Sequence, residues 1–98
     1  MSDDLIFREE IHGTDHGADD FECFIWADKG PKEHWRFKIG RTILAMFGKP
    51  SIVSKDNVDI CNANRRQILA ACKVAHNEQP AERAVVLERH HFPSDGNL

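Results

Sequence analysis

Histidines are the residues of this sequence whose type and spacing come nearest to a metal site. The chain has six of them, and His12 and His16 lie four residues apart with Asp15 between them. Imidazole nitrogens and carboxylate oxygens are zinc ligands, so these three side chains are candidates to hold an ion. Such spacing brings two histidines together on a helix, but this segment is rich in glycine and aspartate and is typical of a loop. We therefore predict no bound metal.

Neighbouring His90 and His91 offer a second pair of ligands. If they extend the last predicted strand, their side chains point to opposite faces of the sheet, because side chains alternate along a strand. The sequence then predicts that they do not chelate one ion. His76 lies near the end of the longest predicted helix, where a partial positive charge is favourable, and we interpret it as structural.

Three cysteines, Cys23, Cys61 and Cys72, show no metal or disulfide pattern. Cys61 and Cys72 fall on one face of the predicted long helix, and at about 1.5 Å per residue they are roughly 16 Å apart. A disulfide requires Cα atoms within about 7 Å, and one zinc ion does not bridge the longer distance. The odd number, without a C-x-x-C pair, favours reduced and buried thiols in a cytoplasmic protein.

Catalytic signatures are missing from the sequence. It has no G-x-S-x-G nucleophile motif, no Walker A loop and no G-x-G-x-x-G motif. Gly40, Arg41 and Thr42 open a predicted helix whose amides can bind an anion, but every helix offers that much. We predict no catalytic residues and no cofactor, and we prefer the interpretation that the chain is not an enzyme.

The charge balance argues against nucleic acid as a partner. Thirteen Lys and Arg residues stand against sixteen Asp and Glu residues, a formal net charge of −3, whereas nucleic-acid binding depends on neutralising phosphates. Arg36 and Lys38 near Trp26 are similar to surfaces that stack bases, and together with Arg66 they define the alternative of a nucleic-acid-associated factor. No apolar run approaches the roughly 20 residues that span a bilayer, so we expect no membrane association.

Four segments are predicted to be strands. Residues 5–7 are a short apolar strand at an edge, and residues 21–27 are rich in aromatic and branched side chains. Residues 34–39 alternate, with Trp35, Phe37 and Ile39 on one face and Arg36 and Lys38 on the other. A Gly-Pro turn joins these two runs into a β-hairpin. Residues 84–89 are the last strand, which residues 90–92 can extend.

Two helices are predicted after the hairpin. A short one covers residues 41–47, and a long one runs from about residue 56 to residue 76. The long helix has an apolar stripe of Val58, Cys61, Ile68, Cys72 and Ala75. The order β-β-β-α-α-β predicts an α+β fold, with one short and one long helix packed on one face of a small, mainly antiparallel sheet. Residues 1–98 form a single domain with an ordered core over about residues 5–92.

Arg65 is the charged residue that helical periodicity places on this stripe. At about 100° per residue it lies about 40° from Cys61, while Arg66 lies about 140° away and faces water. Arginine can pack its stem on a sheet while its guanidinium meets a carboxylate or backbone carbonyls. We predict that Arg65 is a structural anchor rather than a binding-site cation, with Glu22 and Glu88 as candidate partners.

The layout resembles a known bacterial family. The hairpin over residues 21–39, with Trp26 and Phe37, and the helical residues 64–74 are similar to the family catalogued as domain of unknown function number fourteen eighty-eight. The resemblance covers roughly residues 5–92, although the family's last strand often ends in an acidic residue and Phe where this chain has His91 and Phe92. It implies a β-rich sheet with two helices, and it assigns no activity, cofactor, substrate or functional residue.

The sequence as a whole favours a small non-enzymatic domain that acts through protein contacts, with a protein partner or as a homodimer. Small size, missing catalytic motifs and many aromatic residues on a short sheet support this interpretation. Two alternatives stay open: a metal-dependent or minor enzyme that uses the histidine loop, and the nucleic-acid-associated factor. The acidic N-terminus lacks the basic and long apolar segments of a secretory signal, which also predicts a cytoplasmic protein.

Overall fold

Four strands and three helices form the part of the chain that a computed structural model describes, residues 5–13 and 22–92. Strands β1 (Ile6–Gly13), β2 (Cys23–Lys29) and β3 (Glu33–Ile39) come first. Helices α1 (Arg41–Phe47), α2 (Ser54–Ala63) and α3 (Arg65–Glu78) follow. Strand β4 (Ala84–Val86) precedes a 3₁₀ turn (Arg89–His91), here termed the C-terminal turn. The predicted α+β class is confirmed.

The four strands lie in the order β1-β2-β3-β4 in one sheet. β2 pairs antiparallel with β1 and with β3, whereas β4 pairs parallel with β3. Parallel neighbours need a crossover connection, and the three helices between β3 and β4 provide it. The sheet is therefore mainly antiparallel, as predicted, with β1 and β4 at its edges.

The hairpin of β2 and β3 has the two faces that its sequence predicts. Cys23 pairs with Ile39, and Lys29 with Glu33, in one continuous register. Gly30 in the connecting turn has a φ of 69°, which glycine adopts without steric cost. One face is buried in the core, and the opposite face, here termed the open face, is half-buried or exposed. The buried set is Cys23, Ile25, Ala27, Trp35, Phe37 and Ile39.

β1 extends beyond the predicted residues 5–7 and is irregular. Phe7 pairs with Ala27 and Ile11 pairs with Ile25, so β1 advances four positions while β2 advances two. The two additional residues bulge out of the ladder, which increases the local twist of the strand. Ile11 then returns to the core and is buried.

The single long helix predicted over residues 56–76 is wrong, because the structure has two helices there. Asn64 leaves helical geometry, with φ −120° and ψ 28°, between α2 and α3. Its side-chain amide donates to the Ile60 carbonyl at 2.9 Å, while its backbone N–H turns to the Cys61 carbonyl at 3.1 Å. A side chain that takes the backbone's acceptor competes with continued helix. The predicted stripe persists across the break: Val58 is half-buried, and Cys61, Ile68, Cys72 and Ala75 are buried.

One core joins the sheet to all three helices. The residues predicted to be buried are buried: Trp35, Phe37, Ile39, Ile68, Cys72, Val85 and Leu87. Helix α1 adds Ile43 and Leu44 to this cluster. Because all three helices contribute to the same core, they lie on one face of the sheet.

Among residues 5–13 and 22–92, no helix combines the length and the apolar character that crossing a membrane requires.

Candidate functional site

The C-terminal turn brings Glu78, His90 and His91 together. His90 Nε2 lies 3.1 Å and His91 Nε2 lies 3.0 Å from Glu78 Oε1, at the end of α3. The two imidazole rings are 4.1 Å apart between centroids. The prediction that these histidines point to opposite faces of a strand is wrong, because β4 ends at Val86 and the chain then turns.

Hydrogen bonds fix the protonation of His91, which is 2% exposed. The Glu88 backbone N–H donates to His91 Nδ1 at 2.9 Å, so Nδ1 is the unprotonated nitrogen. Nε2 then carries the proton and donates it to the Glu78 carboxylate. Hydrogen bonds from His90 and His91 lower the pKa of Glu78, because they stabilise its charged form.

This donor set does not fit a metal ion. One atom from each of Glu78, His90 and His91 lies within 4.8 Å of the others. Ligation nevertheless requires a lone pair on the imidazole nitrogen, and His91 Nε2 carries a proton in this hydrogen-bonded arrangement. Glu78 and His90 alone supply two ligands, fewer than the three protein ligands of a catalytic zinc site. The cluster instead fastens the C-terminal turn to α3.

The described residues do not assemble the predicted histidine loop. His12 is exposed on β1, with Nε2 3.9 Å from Glu10 Oε1. Asp15 and His16 lie outside the described residues. The alternative of a metal-dependent enzyme at this loop therefore stays a prediction.

His76 lies on the core side of α3, close to its C-terminal end. Its ring meets Trp35 edge-on with centroids 5.2 Å apart, and Lys29 Nζ lies 3.2 Å from Nε2. Burial, followed by the positive charge of Lys29, lowers the pKa of His76. The expected favourable positive charge on this ring is therefore wrong, since the approach of Lys29 from β2 favours the neutral form.

The three cysteines are free and buried. Cys61 and Cys72 lie on different helices, and Cys61 is hydrogen-bonded to Cys23 of β2. That hydrogen bond and burial raise the pKa of Cys61, and burial raises the pKa of Cys72. The thiolate is the nucleophile and the metal ligand, so neither thiol is prepared for catalysis or metal binding.

Arg65 connects the helix layer to the edge of the sheet. Its Nη2 donates to the backbone carbonyl of Arg8 in β1 at 2.9 Å. The two acids considered as partners are engaged elsewhere: Glu22 pairs with Lys38 at 2.8 Å, and Glu88 accompanies the C-terminal turn. Arg65 therefore bonds a carbonyl at the sheet rim, and its Nη1 also donates to Asn62 Oδ1 at 3.5 Å. Its anchoring role stays a prediction for mutagenesis.

Two aromatic side chains lie next to each other along the open face. Phe24 and Trp26 are half-buried and alternate with core residues of β2. The Arg36 guanidinium lies 4.8 Å from the Phe24 ring centroid, and the Arg8 guanidinium lies 5.5 Å from that of Trp26. No described helix covers these rings, because α1, α2 and α3 all pack on the core side. A basic and aromatic surface is thus exposed.

The two arginines of the open face differ in whether they have an ion-pair partner. Arg8 donates from Nε and Nη2 to the Asp28 carboxylate at 2.9 and 2.8 Å, and His34 Nδ1 lies 2.6 Å from Asp28 Oδ1. Hydrogen bonds from Arg8 and then His34 lower the pKa of Asp28. Among the described carboxylates, none lies within ion-pair distance of Arg36. Arg66 is exposed on the solvent side of α3, so it does not share this surface.

A groove, here termed the β4 groove, separates the edge of β4 from α1. It consists of two adjoining clefts of about 520 and 540 Å³, which share Arg41, Thr42 and Arg89. Buried Ile43 and Leu87 contribute to the first cleft, so its floor is apolar.

Sequence reasoning missed Glu78, Asp28 and Arg89. Asp28 borders the predicted hairpin turn, and the hairpin register that places it opposite His34 was a usable signal. Nothing in the sequence marks Glu78 or Arg89, because their positions depend on the C-terminal turn and on the crossover of the helices.

Comparison of the chain with protein-family models, with curated proteins and with solved structures finds no match.

Proposed function

We propose that this chain is a non-enzymatic protein-interaction domain, and that the open face of its sheet binds an acidic surface of a partner protein. The observation that carries the proposal is the pair of aromatic rings Phe24 and Trp26, each covered by a guanidinium rather than by a helix. Tryptophan and arginine are the residue types that most often dominate the energy of protein interfaces.

The geometry of the pair supports binding rather than packing. Both rings are half-buried, so their positions are set by the sheet while one surface of each remains accessible. The guanidinium of Arg36 is held over Phe24 at 4.8 Å without a described acidic partner. A carboxylate from a partner can pair with this guanidinium while an apolar group packs on the rings.

Charge favours a different protein over a second copy as the occupant. Two copies that meet through the open face would bring Arg36 toward an identical basic surface, and like charges across an interface cost binding energy. An acidic partner instead meets the local positive charge of Arg36, although the net charge of the whole chain is −3. Sedimentation velocity of the purified protein tests this choice. A homodimer would overturn it.

Two further expectations belong to this proposal. The free cysteines Cys23, Cys61 and Cys72 support a reducing compartment, so we assign the protein to the cytoplasm. We also retain the resemblance to domain of unknown function family number fourteen eighty-eight as a proposed relationship. That family has no known activity that this chain could share.

Matched charge reversals test the proposal. Affinity capture from native cells is carried out with the unmodified protein, with Arg36→Glu and with Arg66→Glu. Both variants replace an exposed arginine, but only Arg36 lies on the open face. We expect a partner that Arg36→Glu loses and Arg66→Glu retains, and a titration with the purified partner that shows at least about a tenfold weaker affinity for Arg36→Glu. Equal capture by both variants would overturn the proposal.

A further inference from the structure

We propose that protonation of His12 and His34 strengthens the binding of the acidic partner to the open face, so that the interaction responds to pH. This inference rests on the proposed function and adds the regulation of the same surface. The juxtaposition that carries it is two exposed histidines on the face of the sheet that also holds Phe24, Trp26 and Arg36.

The strand register places both histidines on the open face. Residues that pair directly across neighbouring strands have their side chains on the same face of the sheet. His12 of β1 pairs with Phe24 of β2, and His34 of β3 pairs with Asp28 of β2. His34 is also two positions from Arg36 along β3, so these two side chains share a face. Both histidines therefore lie within the surface that the proposed function uses.

Hydrogen bonding leaves one nitrogen of His34 available for a proton. His34 Nδ1 lies 2.6 Å from Asp28 Oδ1, and an ionised carboxylate only accepts, so Nδ1 donates. Nε2 of the neutral ring then carries the lone pair. Protonation at Nε2 adds a positive charge without breaking this contact or the two hydrogen bonds that Arg8 donates to Asp28. The side chain of His34 is 46% exposed, so the proton can exchange with solvent.

Most other charges of the open face are paired with an opposite charge. Arg8 pairs with Asp28 at 2.8 Å, and Lys38 pairs with Glu22 at 2.8 Å. Arg36 is the arginine of this face that has no acidic partner among the described residues. A histidine side chain gains a positive charge as the pH falls from about 8 to about 5. Each protonated histidine therefore adds to the uncompensated charge of Arg36, and a surface with more positive charge binds carboxylates more tightly.

The charged groups next to the histidines decide which one contributes more. Glu10 Oε1 lies 3.9 Å from His12 Nε2, so it offsets part of the charge that His12 gains. Glu33 precedes His34 on β3, but alternation directs it to the opposite face, and it pairs with Arg83 at 3.8 Å. Strand β4 adds two uncharged side chains to the open face, those of Ala84 and Val86. We therefore expect the larger effect from His34.

Titration of the ¹⁵N-labelled full chain with a blocked peptide, Glu-Leu-Glu-Leu-Glu, tests the inference by NMR at about pH 7.5 and about pH 5.5. The carboxylates of the peptide stay ionised at both pH values, because the pKa of glutamate is about 4.3. We expect the amides of Phe24, Trp26 and Arg36 to shift. The affinity should be at least about threefold higher at the lower pH.

Matched variants assign this pH dependence to the two histidines. His34→Gln should lose most of the gain in affinity at the lower pH. The double variant His12→Gln/His34→Gln should lose nearly all of it. His90→Gln replaces an exposed histidine of the C-terminal turn, outside the open face, and should keep the full gain.

The other outcomes separate this inference from the proposed function. Equal affinity at the two pH values, with the same amide shifts, would overturn the pH response and leave the open face as the binding surface. A gain that persists in the double variant would also overturn it, because other groups would then cause the pH dependence. The same gain with the uncharged peptide Gln-Leu-Gln-Leu-Gln would show that the histidines do not act on carboxylates. No shift of the open-face amides with about 1 mM peptide would overturn both proposals.

Discussion

Arg65 joins two layers of the molecule through one side chain. Its guanidinium reaches from α3 to the Arg8 carbonyl of β1, and the residue is half-buried. Arg65→Ala removes that donor and the packing of the stem, so we expect the free energy of unfolding to fall by about 1–3 kcal/mol. Arg66→Ala changes an exposed neighbour and should alter it by less than about 0.5 kcal/mol. Urea unfolding of both variants measures the difference, and equal, negligible effects would contradict the anchoring role.

His76 makes the stability of the fold depend on pH. Its pKa is lowered in the folded chain by burial and by Lys29. Below about pH 6.5, the ordinary histidine pKa, the unfolded chain takes up a proton that the folded chain resists. The stability that neutral His76 contributes is therefore complete above about pH 6.5. It is lost as the pH falls toward the pKa of His76 in the folded chain. The free energy of unfolding therefore falls with pH in this range, because the unfolded chain binds more protons than the folded chain.

Denaturant titrations between about pH 5 and pH 7 check this dependence. His76→Leu should reduce the slope of unfolding free energy against pH, because it removes the titrating group from the contact with Trp35. His12→Gln replaces an exposed histidine of β1 and is the control. A slope that is unchanged in His76→Leu would show that other groups cause the pH dependence.

The C-terminal turn is an element held by one carboxylate. Glu78 accepts from His90 and His91, and the pKa of Glu78 is lowered as a result. Glu78→Gln removes the charge that strengthens both bonds, so we expect faster amide exchange at residues 89–91 with little change in global unfolding. Lowering the pH through the folded pKa of Glu78 should loosen the turn in the same way, since the carboxylate is then protonated. Glu82→Gln is the control. Unchanged amide exchange in Glu78→Gln would show that Glu78 does not hold the C-terminal turn.

The elements that the sequence predicted well are those with a local pattern. The strict alternation of apolar and charged residues identified β3, and the Gly-Pro turn next to the aromatic run identified the hairpin. Which residues of the two strands share a face was therefore predictable. The break at Asn64 was not, because asparagine is tolerated within helices and only the competition for the Ile60 carbonyl ends α2 there. The apolar stripe continues across the break, which concealed it.

The candidate surfaces were predictable to a smaller degree. Arg36, Lys38 and Trp26 were placed on an exposed strand face from alternation alone. The β4 groove was not foreseen, because it depends on β4 pairing parallel to β3 after a helical crossover. The contact of Glu78 with His90 and His91 depends on where β4 ends, and strand boundaries are the least certain part of a sequence-based prediction.

At the scale of the whole molecule, all three helices lie on one side of the sheet. The other side presents the open face, whereas the β4 groove lies on the helix side, between the edge of β4 and α1.

The β1 bulge bears on aggregation. An exposed and regular edge strand is a template on which further chains can stack into fibrils, and bulges and charges interrupt such stacking. β1 carries both, since Glu9 and Glu10 are exposed within the irregular stretch between Phe7 and Ile11. We expect replacement of both Glu9 and Glu10 with valine to accelerate thioflavin-positive fibril formation, whereas Glu82→Val should not. Equal rates of fibril formation in the two variants would contradict a protective role of Glu9 and Glu10. Faster fibril growth in the double variant would show that the irregular, charged edge of β1 keeps the chain from polymerising with itself.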